Sequence, residues 1–346
     1  VTTISSKTIL RSRNTAAPDK VLSTLLLRYP RWIHAEQRTH RVIPLDEGLS
    51  FFEPTPSLMA DPNLSRNAAS SRAIPVEKLI ADALSDPAIP LFWGKNQRGM
   101  QAVEENHAPV MLPVPGVSPF EGETTLGEFT NEEAWMRAMH SAIEFARAFA
   151  DAGYHKQIVN RLLEPFTHIT VLVSATEWDN FLELRDHGDA EPHIRMLAQC
   201  IRACLDRTDD IQDLEPGGWH LPFITDADKQ SVIEWDDGEE NRRACTQGWL
   251  ARNQWAWYGL GKLKKLSTSR CASTSYKTVD GFDMTLDRAI ALHDKLVVAE
   301  PIHASPTEHV AQADDCMSGA EFGEPLWDNE REHGNFVGFR QYRHQL

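Results

Sequence analysis

Apolar residues recur at helical spacing most clearly in TNEEAWMRAMHSAIEFARAFADAGY, where Ala134, Met136, Ala138, Met139, Ile143, Phe145 and Phe149 form a wide apolar face. Thr130 and Glu133 form a capping-box pattern at its start, and Gly153 is placed to end it. Upstream, PVEKLIADAL predicts a second helix. Pro75 suits its first turn, and Val76, Leu79, Ile80 and Leu84 lie on one side. FTHITVLVSA has the β-branched alternation of a strand. Helices are expected from about Glu177 to Arg185, from Pro192 to Leu205 and from Leu286 to Val298. VLSTLLLRYPRWIHAE fits a short helix or a strand leading into Thr39. Residues 86–129, rich in Pro and Gly, read as a long irregular connection. Residues 206–243 are acidic and loop-rich and read as a surface excursion. No internal repeat is visible, and the whole chain, 1–346, reads as a single catalytic domain.

Composition narrows the class without naming it. With 41% apolar and 25% charged residues, the chain has the balance of a globular soluble protein. No run of 18 apolar residues predicts a membrane span. VTTISSKTILRSR lacks the apolar core of a secretory signal. The five cysteines, Cys200, Cys204, Cys245, Cys271 and Cys316, are odd in number and form no CxxC pair, so a reduced, intracellular chain is expected. A net charge of −15 argues against non-specific attraction to nucleic acid and gives weight to local basic clusters.

One such cluster lies between Arg38 and Arg72. Thr39, His40 and Arg41 stand at one end, and Ser65, Arg66, Asn67, Ser70, Ser71 and Arg72 at the other, with Pro44–Leu64 between them. Arginine forks match phosphate oxygens, and serine hydroxyls with turn amides complete an anion site. On spacing alone a solvated, arginine-rich loop with capping serines is the simpler reading. The scattered histidines show no HExxH or HxxEH spacing for zinc, and P-loop, GxGxxG and GxSxG patterns are absent.

With the 21 residues Pro44–Leu64 closed out, the stretch reads THRVI-SRNAASSR. This resembles the flavin-dependent thymidylate synthase signature, Arg-His-Arg followed by Ser-x-Asn-Glu-x-Ser-x-Arg-Tyr. It is closer still to phage forms with Thr-His-Arg and Ser-Ser-Arg-Ala-Ile-Pro. WGKNQRGMQA, Trp93–Ala102, is similar to the same phage members. A second block, NRLLEPFTHITVLVSATEWDNFLELR, resembles the family's Ala-Arg-x-x-Leu-Pro helix end, strand and Asn-Phe-Leu-x-Leu-Arg close. DAEPHIRMLA after it departs at Glu191 and His193, and Ala68 stands where the family has Glu. A third block, CASTSYKTVDG with PIHASPTEHVA, resembles elements that precede Arg-His-Arg in the family, but here it lies near the C-terminus. A circularly permuted arrangement is inferred, with the 271–311 segment standing for the family's N-terminal part.

The resemblance implies an α+β fold, a mixed sheet surrounded by helices, in a homotetramer with shared active sites. It implies FAD contacts from Thr39, His40, Arg41, Asn67, Ser174, Thr176, Asn180, His303, Ser305 and Glu308. For a pyrimidine deoxynucleoside monophosphate it implies Glu36, Ser70, Ser71, Arg72, Arg161 and Arg185, with Ser70–Arg72 and Arg161 on the 5′-phosphate. Arg185 is the catalytic candidate, a fixed cation that lowers the cost of an ionised pyrimidine; its plain alternative is an arginine at a helix C-terminus. No metal is expected. NADPH would regenerate reduced FAD, and methylenetetrahydrofolate would supply one carbon. The implied setting is the cytoplasm of a phage-infected bacterial cell. The first expectation is reductive methylation of dUMP to dTMP. The alternatives are hydroxymethylation or hydroxylation of dUMP or dCMP, motivated by the insertion, and a nucleotide- or flavin-binding protein without turnover.

Overall fold

The computed structural model describes residues 3–39, 66–68, 70–99, 102–114, 126–236, 249–274, 284–297, 305–317 and 326–346. The 44–64 insertion, Cys245 and, within the 271–311 segment, residues 275–283 and 298–304 lie outside the described residues. In chain order the elements are β1 (Ser5–Asn14), β2 (Ala17–Pro30), α1 (His34–Thr39), β3 (Arg66–Ala68), α2 (Val76–Ser85), β4 (Val110–Pro113), β5 (Leu126–Phe129), α3 (Asn131–Asp151), α4 (Lys156–Val159), β6 (His168–Ala175), α5 (Asp179–Arg185) and α6 (Pro192–Leu205). They continue with β7 (Ile211–Leu214), β8 (Trp219–His220), α7 (Asp226–Asp236), α8 (Trp249–Ser273), α9 (Leu286–Val297), β9 (Ala311–Ala313), β10 (Cys316–Met317), β11 (Leu326–Trp327) and β12 (Phe339–Gln341). Short 3-10 turns cover Arg31–Ile33, Ser71–Ala73, Asn160–Phe166 and Ser305–His309.

The centre is a mixed five-stranded sheet in the order β3-β6-β2-β1-β7, antiparallel except for the parallel β1–β7 pair. Both faces of β2 and β6 are covered, which is why their sequences are almost continuously apolar. Successive side chains in a strand point to opposite faces. Leu25, Leu27, Tyr29, Ile169, Val171 and Val173 pack against Phe181 and Leu182 of α5 and Ile194, Leu197, Ala198 and Ile201 of α6. The alternate residues Leu26 and Leu172 pack against Cys271 of α8, and Leu22 packs against Ala311, Ala313, Phe336 and Phe339 of the C-terminal segment. A second core joins Leu79, Ile80 and Ala83 of α2 to Met139, Ile143 and Ala146 of α3 and to Val159, Leu163 and Phe166.

Buried polar groups tie these layers together. Arg11 reaches from β1 to the end of α6, donating to the carbonyls of Cys204 (3.2 Å), Leu205 (2.9 Å) and Arg207, and to Asp210 Oδ1 at 3.0 Å. It satisfies carbonyls that a helix C-terminus leaves without intrahelical partners. Asn14 Nδ2, at the β1–β2 turn, donates to the carbonyls of Asp314 (2.8 Å) and Gly338 (2.7 Å), joining the two ends of the described chain. Glu191 caps α6 through Oε2, which accepts from the amides of His193 and Ile194 at 2.9 and 3.0 Å, while Pro192 occupies the first helical position.

Several expectations change. Residues 86–129 are not wholly irregular, because β4 and β5 pair as an antiparallel ribbon. The 206–243 segment is more than a surface excursion: β7 extends the central sheet, and His220 of β8 is fully buried. The apolar face of α3 is narrower than its sequence suggests, with Phe145 62% and Phe149 37% exposed; Leu84 of α2 is 45% exposed, and Ala83 takes the inward position. The capping box of Thr130 and Glu133 is formed as expected, and Gly153, at φ +84°, follows α3. Among the described residues no helix is long and apolar enough to cross a membrane.

Candidate functional site

Three groups of polar residues gather around β6. The first forms where the 3-10 turn Ser71–Ala73 meets the turn Asn160–Phe166. Asn160, fully buried, donates through Nδ2 to the carbonyls of Ser71 (2.6 Å) and Ile74 (2.9 Å), fixing the 71–74 backbone. Ser71 Oγ donates to Glu164 Oε1 at 2.6 Å, and Arg161 Nη1 lies 3.7 Å from Glu164 Oε2. Arg72 is exposed, with Nε 3.5 Å from Ser70 Oγ. Burial lowers the Arg31 pKa, and the nearby Glu164 carboxylate opposes that shift. Ser70, Ser71, Arg72 and Arg161, assigned by sequence to one phosphate, therefore lie in one neighbourhood. Arg31, Asn160 and Glu164 join them without having been anticipated.

The second group is centred on Arg185, the last residue of α5. Glu36 of α1 lies within its field. Burial, followed by the neighbouring Glu191 carboxylate, pushes Glu36 above the ordinary carboxylate range, while Arg185 pulls it down. Glu191 is held in place by its capping bonds and by His193. His193 Nε2 accepts from the Leu91 amide at 2.8 Å, so its proton sits on Nδ1 and is donated to Glu191 Oε1. The Leu91–His193 bond also straps the 86–93 segment to α6. Trp32 packs edge-on against His193 at 5.4 Å between ring centroids and against Trp135 at 5.8 Å. Arg31 and Glu36 are carried by consecutive turns, so the first two groups are adjacent.

The third group lies on the opposite face of the sheet. Ser174 pairs across strands with Thr24, their hydroxyls 2.6 Å apart, and Ser174 Oγ is 2.9 Å from His309 Nδ1. Thr24 Oγ1 is 2.8 Å from His220 Nε2, His220 Nδ1 is 2.7 Å from Ser12 Oγ, and Gln212 Nε2 donates to Ser12 at 2.9 Å. Burial, with His309 as the next cause, depresses His220 to about 3; burial, with Arg343 as the next cause, depresses His309 to about 3. Both imidazoles are therefore neutral. Glu308 pairs with Arg343 at 3.2 Å, with both side chains buried.

The sequence-assigned FAD residues thus divide. His40, Arg41 and His303 lie outside the described residues, as do the side chains of Thr39, Asn67 and Ser305. The backbones of β3, which carries Asn67, and of the Ser305–His309 turn both pack beside β6. Ser174 is bonded within the protein. Thr176 Oγ1 donates to the Asn335 carbonyl at 3.4 Å and accepts from the Val337 amide at 3.0 Å. Asn180 is exposed at the start of α5. Glu164 and His309 were not singled out by sequence: Glu164 shows only as a carboxylate three residues after Arg161, and His309 closes the PTEH stretch.

Scanned against models of known protein families, the chain matches none, and no curated protein matches it.

Proposed function

We propose that this chain is a flavin-dependent enzyme that modifies C5 of a pyrimidine deoxynucleoside monophosphate, with reductive methylation of dUMP to dTMP as its first reading. One observation carries the proposal. Residues from separate stretches of sequence lie in two adjacent groups, with Ser71 and Arg161 meeting at Glu164 and Glu36 in the field of Arg185, and this supports reading them as a phosphate site beside a catalytic cation.

In this reading Ser70, Ser71, Arg72 and Arg161 hold the 5′-phosphate. Charged hydrogen bonds are the strong ones, and the Asn160 clamp on the 71–74 backbone keeps the donors in place. Arg185 stabilises negative charge on the pyrimidine ring, which makes C5 nucleophilic without an enzyme thiol. Such a fixed charge acts most strongly in a partly water-excluded site. Trp32, Trp135 and His193 give the α5–α6 side an aromatic wall.

The described residues fit the nucleotide better than the flavin. Ser174, Thr176 and Glu308 have protein partners, leaving Asn180 as the exposed candidate of that set. Bound FAD would supply reducing equivalents, with NADPH restoring them and methylenetetrahydrofolate providing the carbon. A homotetramer with shared sites belongs to the same proposal.

A cytosine nucleotide, hydroxymethylated or hydroxylated, is the second reading. Glu36 beside Arg185 favours it, because a carboxylate offers an acceptor to an exocyclic amine. Equilibrium binding of dUMP, dCMP and deoxyuridine, together with the visible spectrum of the purified protein, tests the site. Binding that requires the 5′-phosphate and a flavin spectrum support it; a colourless protein indifferent to the phosphate sinks it.

A further inference from the structure

Ser71 and Arg161, the two groups given to the ligand phosphate from different turns, both face a carboxylate of the protein itself. Ser71 Oγ donates to Glu164 Oε1 at 2.6 Å, and Arg161 Nη1 stands 3.7 Å from Oε2. Glu164 also opposes the effect of burial on Arg31. A serine hydroxyl has one proton to donate, so Ser71 cannot serve Glu164 and a phosphate oxygen together. Asn160 pins the Ser71 and Ile74 carbonyls, so the backbone of the turn is held while the exchange takes place at the side chains. The Glu164 and Arg161 side chains are 28% and 61% exposed, so the contact can be reached from solvent.

We infer that Glu164 is a built-in stand-in for the ligand's phosphate: its carboxylate holds Ser71 and Arg161 until a phosphate monoester displaces it. The inference rests on the reading of Ser70–Arg72 and Arg161 as a phosphate site and adds a residue that sets what that site accepts. Arg31, Arg72 and Arg161 with Glu164 leave two net positive charges, the complement of a monoester dianion. The carboxylate also lowers affinity, because each bound phosphate must break the Ser71–Glu164 bond and come to rest beside a negative charge. Affinity is thereby held down, and release of a monophosphate product is eased.

The test uses the full chain and Glu164→Gln, which keeps the side-chain shape and removes the charge. Calorimetry at fixed ionic strength measures dUMP, inorganic phosphate and deoxyuridine, and a thermal midpoint verifies folding. Glu164→Gln should bind dUMP and inorganic phosphate about tenfold more tightly, the effect of about 1.4 kcal/mol from one nearby charge in a partly exposed site. Deoxyuridine, which has no phosphate, should bind equally to both proteins. Glu164→Leu, which also removes the acceptor for Ser71, should shift in the same direction. Equal dUMP affinities in the parent and Glu164→Gln, or weaker binding by Glu164→Gln, overturn the inference and leave the phosphate site standing. A parallel gain for deoxyuridine also overturns it. If neither folded protein binds dUMP or inorganic phosphate, the phosphate site itself fails, and the inference falls with it.

Discussion

Ser174 Oγ lies 2.9 Å from His309 Nδ1 and 2.6 Å from Thr24 Oγ1, placing a β6 hydroxyl next to the His309 end of a chain of hydrogen bonds that begins at Gln212. Among the described residues Ser12 has no further acceptor for its proton. Donation by Ser12 to His220 Nδ1 therefore sets the direction, and the chain runs on through His220 Nε2–H, Thr24 and Ser174 to His309 Nδ1. His309 then carries its proton on Nε2, a buried atom with no hydrogen-bond partner among the described residues. One hydroxyl network thus fixes the tautomers of two imidazoles. Thr24→Val keeps the shape of the side chain but leaves His220 Nε2 and Ser174 each short of a partner. It should lower stability by about 1–3 kcal/mol, measured by urea denaturation. A loss within experimental error would show that the network carries no net stability.

The buried histidines predict acid sensitivity. Burial depresses His168 to about 4 and His220 and His309 to about 3 from an ordinary 6.5. Between the folded and unfolded values the unfolded chain binds more protons, so stability rises with pH and is lost as pH falls below about 6.5. Each of these histidines contributes about 1.4 kcal/mol of loss per pH unit in that window. Thermal midpoints at about pH 7 and about pH 5 should differ steeply, and His168→Gln should flatten part of the slope. A midpoint that does not change between those two conditions runs against the expectation.

Asn160 couples the Ser71–Ala73 turn to the second core. Its Nδ2 serves the Ser71 and Ile74 carbonyls, and no water-accessible surface remains to replace those bonds. Asn160→Asp would bring an oxygen against two carbonyls. The expected cost is about 2–3 kcal/mol of stability, together with weaker dUMP binding, measured by chemical denaturation and calorimetry. Full retention of both would remove Asn160 from the support of the site.

On the proposed reading Arg185 acts in the chemistry rather than in holding the flavin. Arg185→Ala should lower product formation by about 10²–10³-fold while leaving the flavin spectrum unchanged. Single-turnover assays with the reduced protein measure this. Undiminished turnover would leave Arg185 as a helix-terminal arginine with no part in the reaction.

The elements with long, one-sided patterns were legible in the sequence. The helix after Thr130 carried its own caps, the α6 range matched from Pro192 to Leu205, and β6 was marked as a strand by its β-branched residues, although it is buried on both faces rather than one. The β4–β5 ribbon was hidden because its strands are four residues each and lie in a Pro- and Gly-rich stretch. β7 was hidden because an acidic segment gives no sign that it pairs with the distant β1. Periodicity could not show that Phe145 and Phe149 turn outward, since a helix with a wide apolar face leaves open which edge the rest of the protein covers. Within the site, the grouping of Ser71 with Arg161 and of Glu36 with Arg185 followed from the family resemblance. Glu164 and His309 were not legible, because what distinguishes each is a partner far away in sequence: Ser71 for one, Ser174 for the other.

The central claim is chemical conversion at C5 of a pyrimidine monophosphate. Its most direct test is mass spectrometry of the nucleotide after incubation with reduced, flavin-loaded protein, using dUMP and dCMP separately, with and without methylenetetrahydrofolate. The predicted result is a methyl group gained by dUMP only when the folate is present; a hydroxymethyl or hydroxyl gain, on dCMP above all, would select the second reading. Both nucleotides recovered at unchanged mass from a protein that binds flavin and monophosphate would contradict the claim and leave a binding protein without turnover.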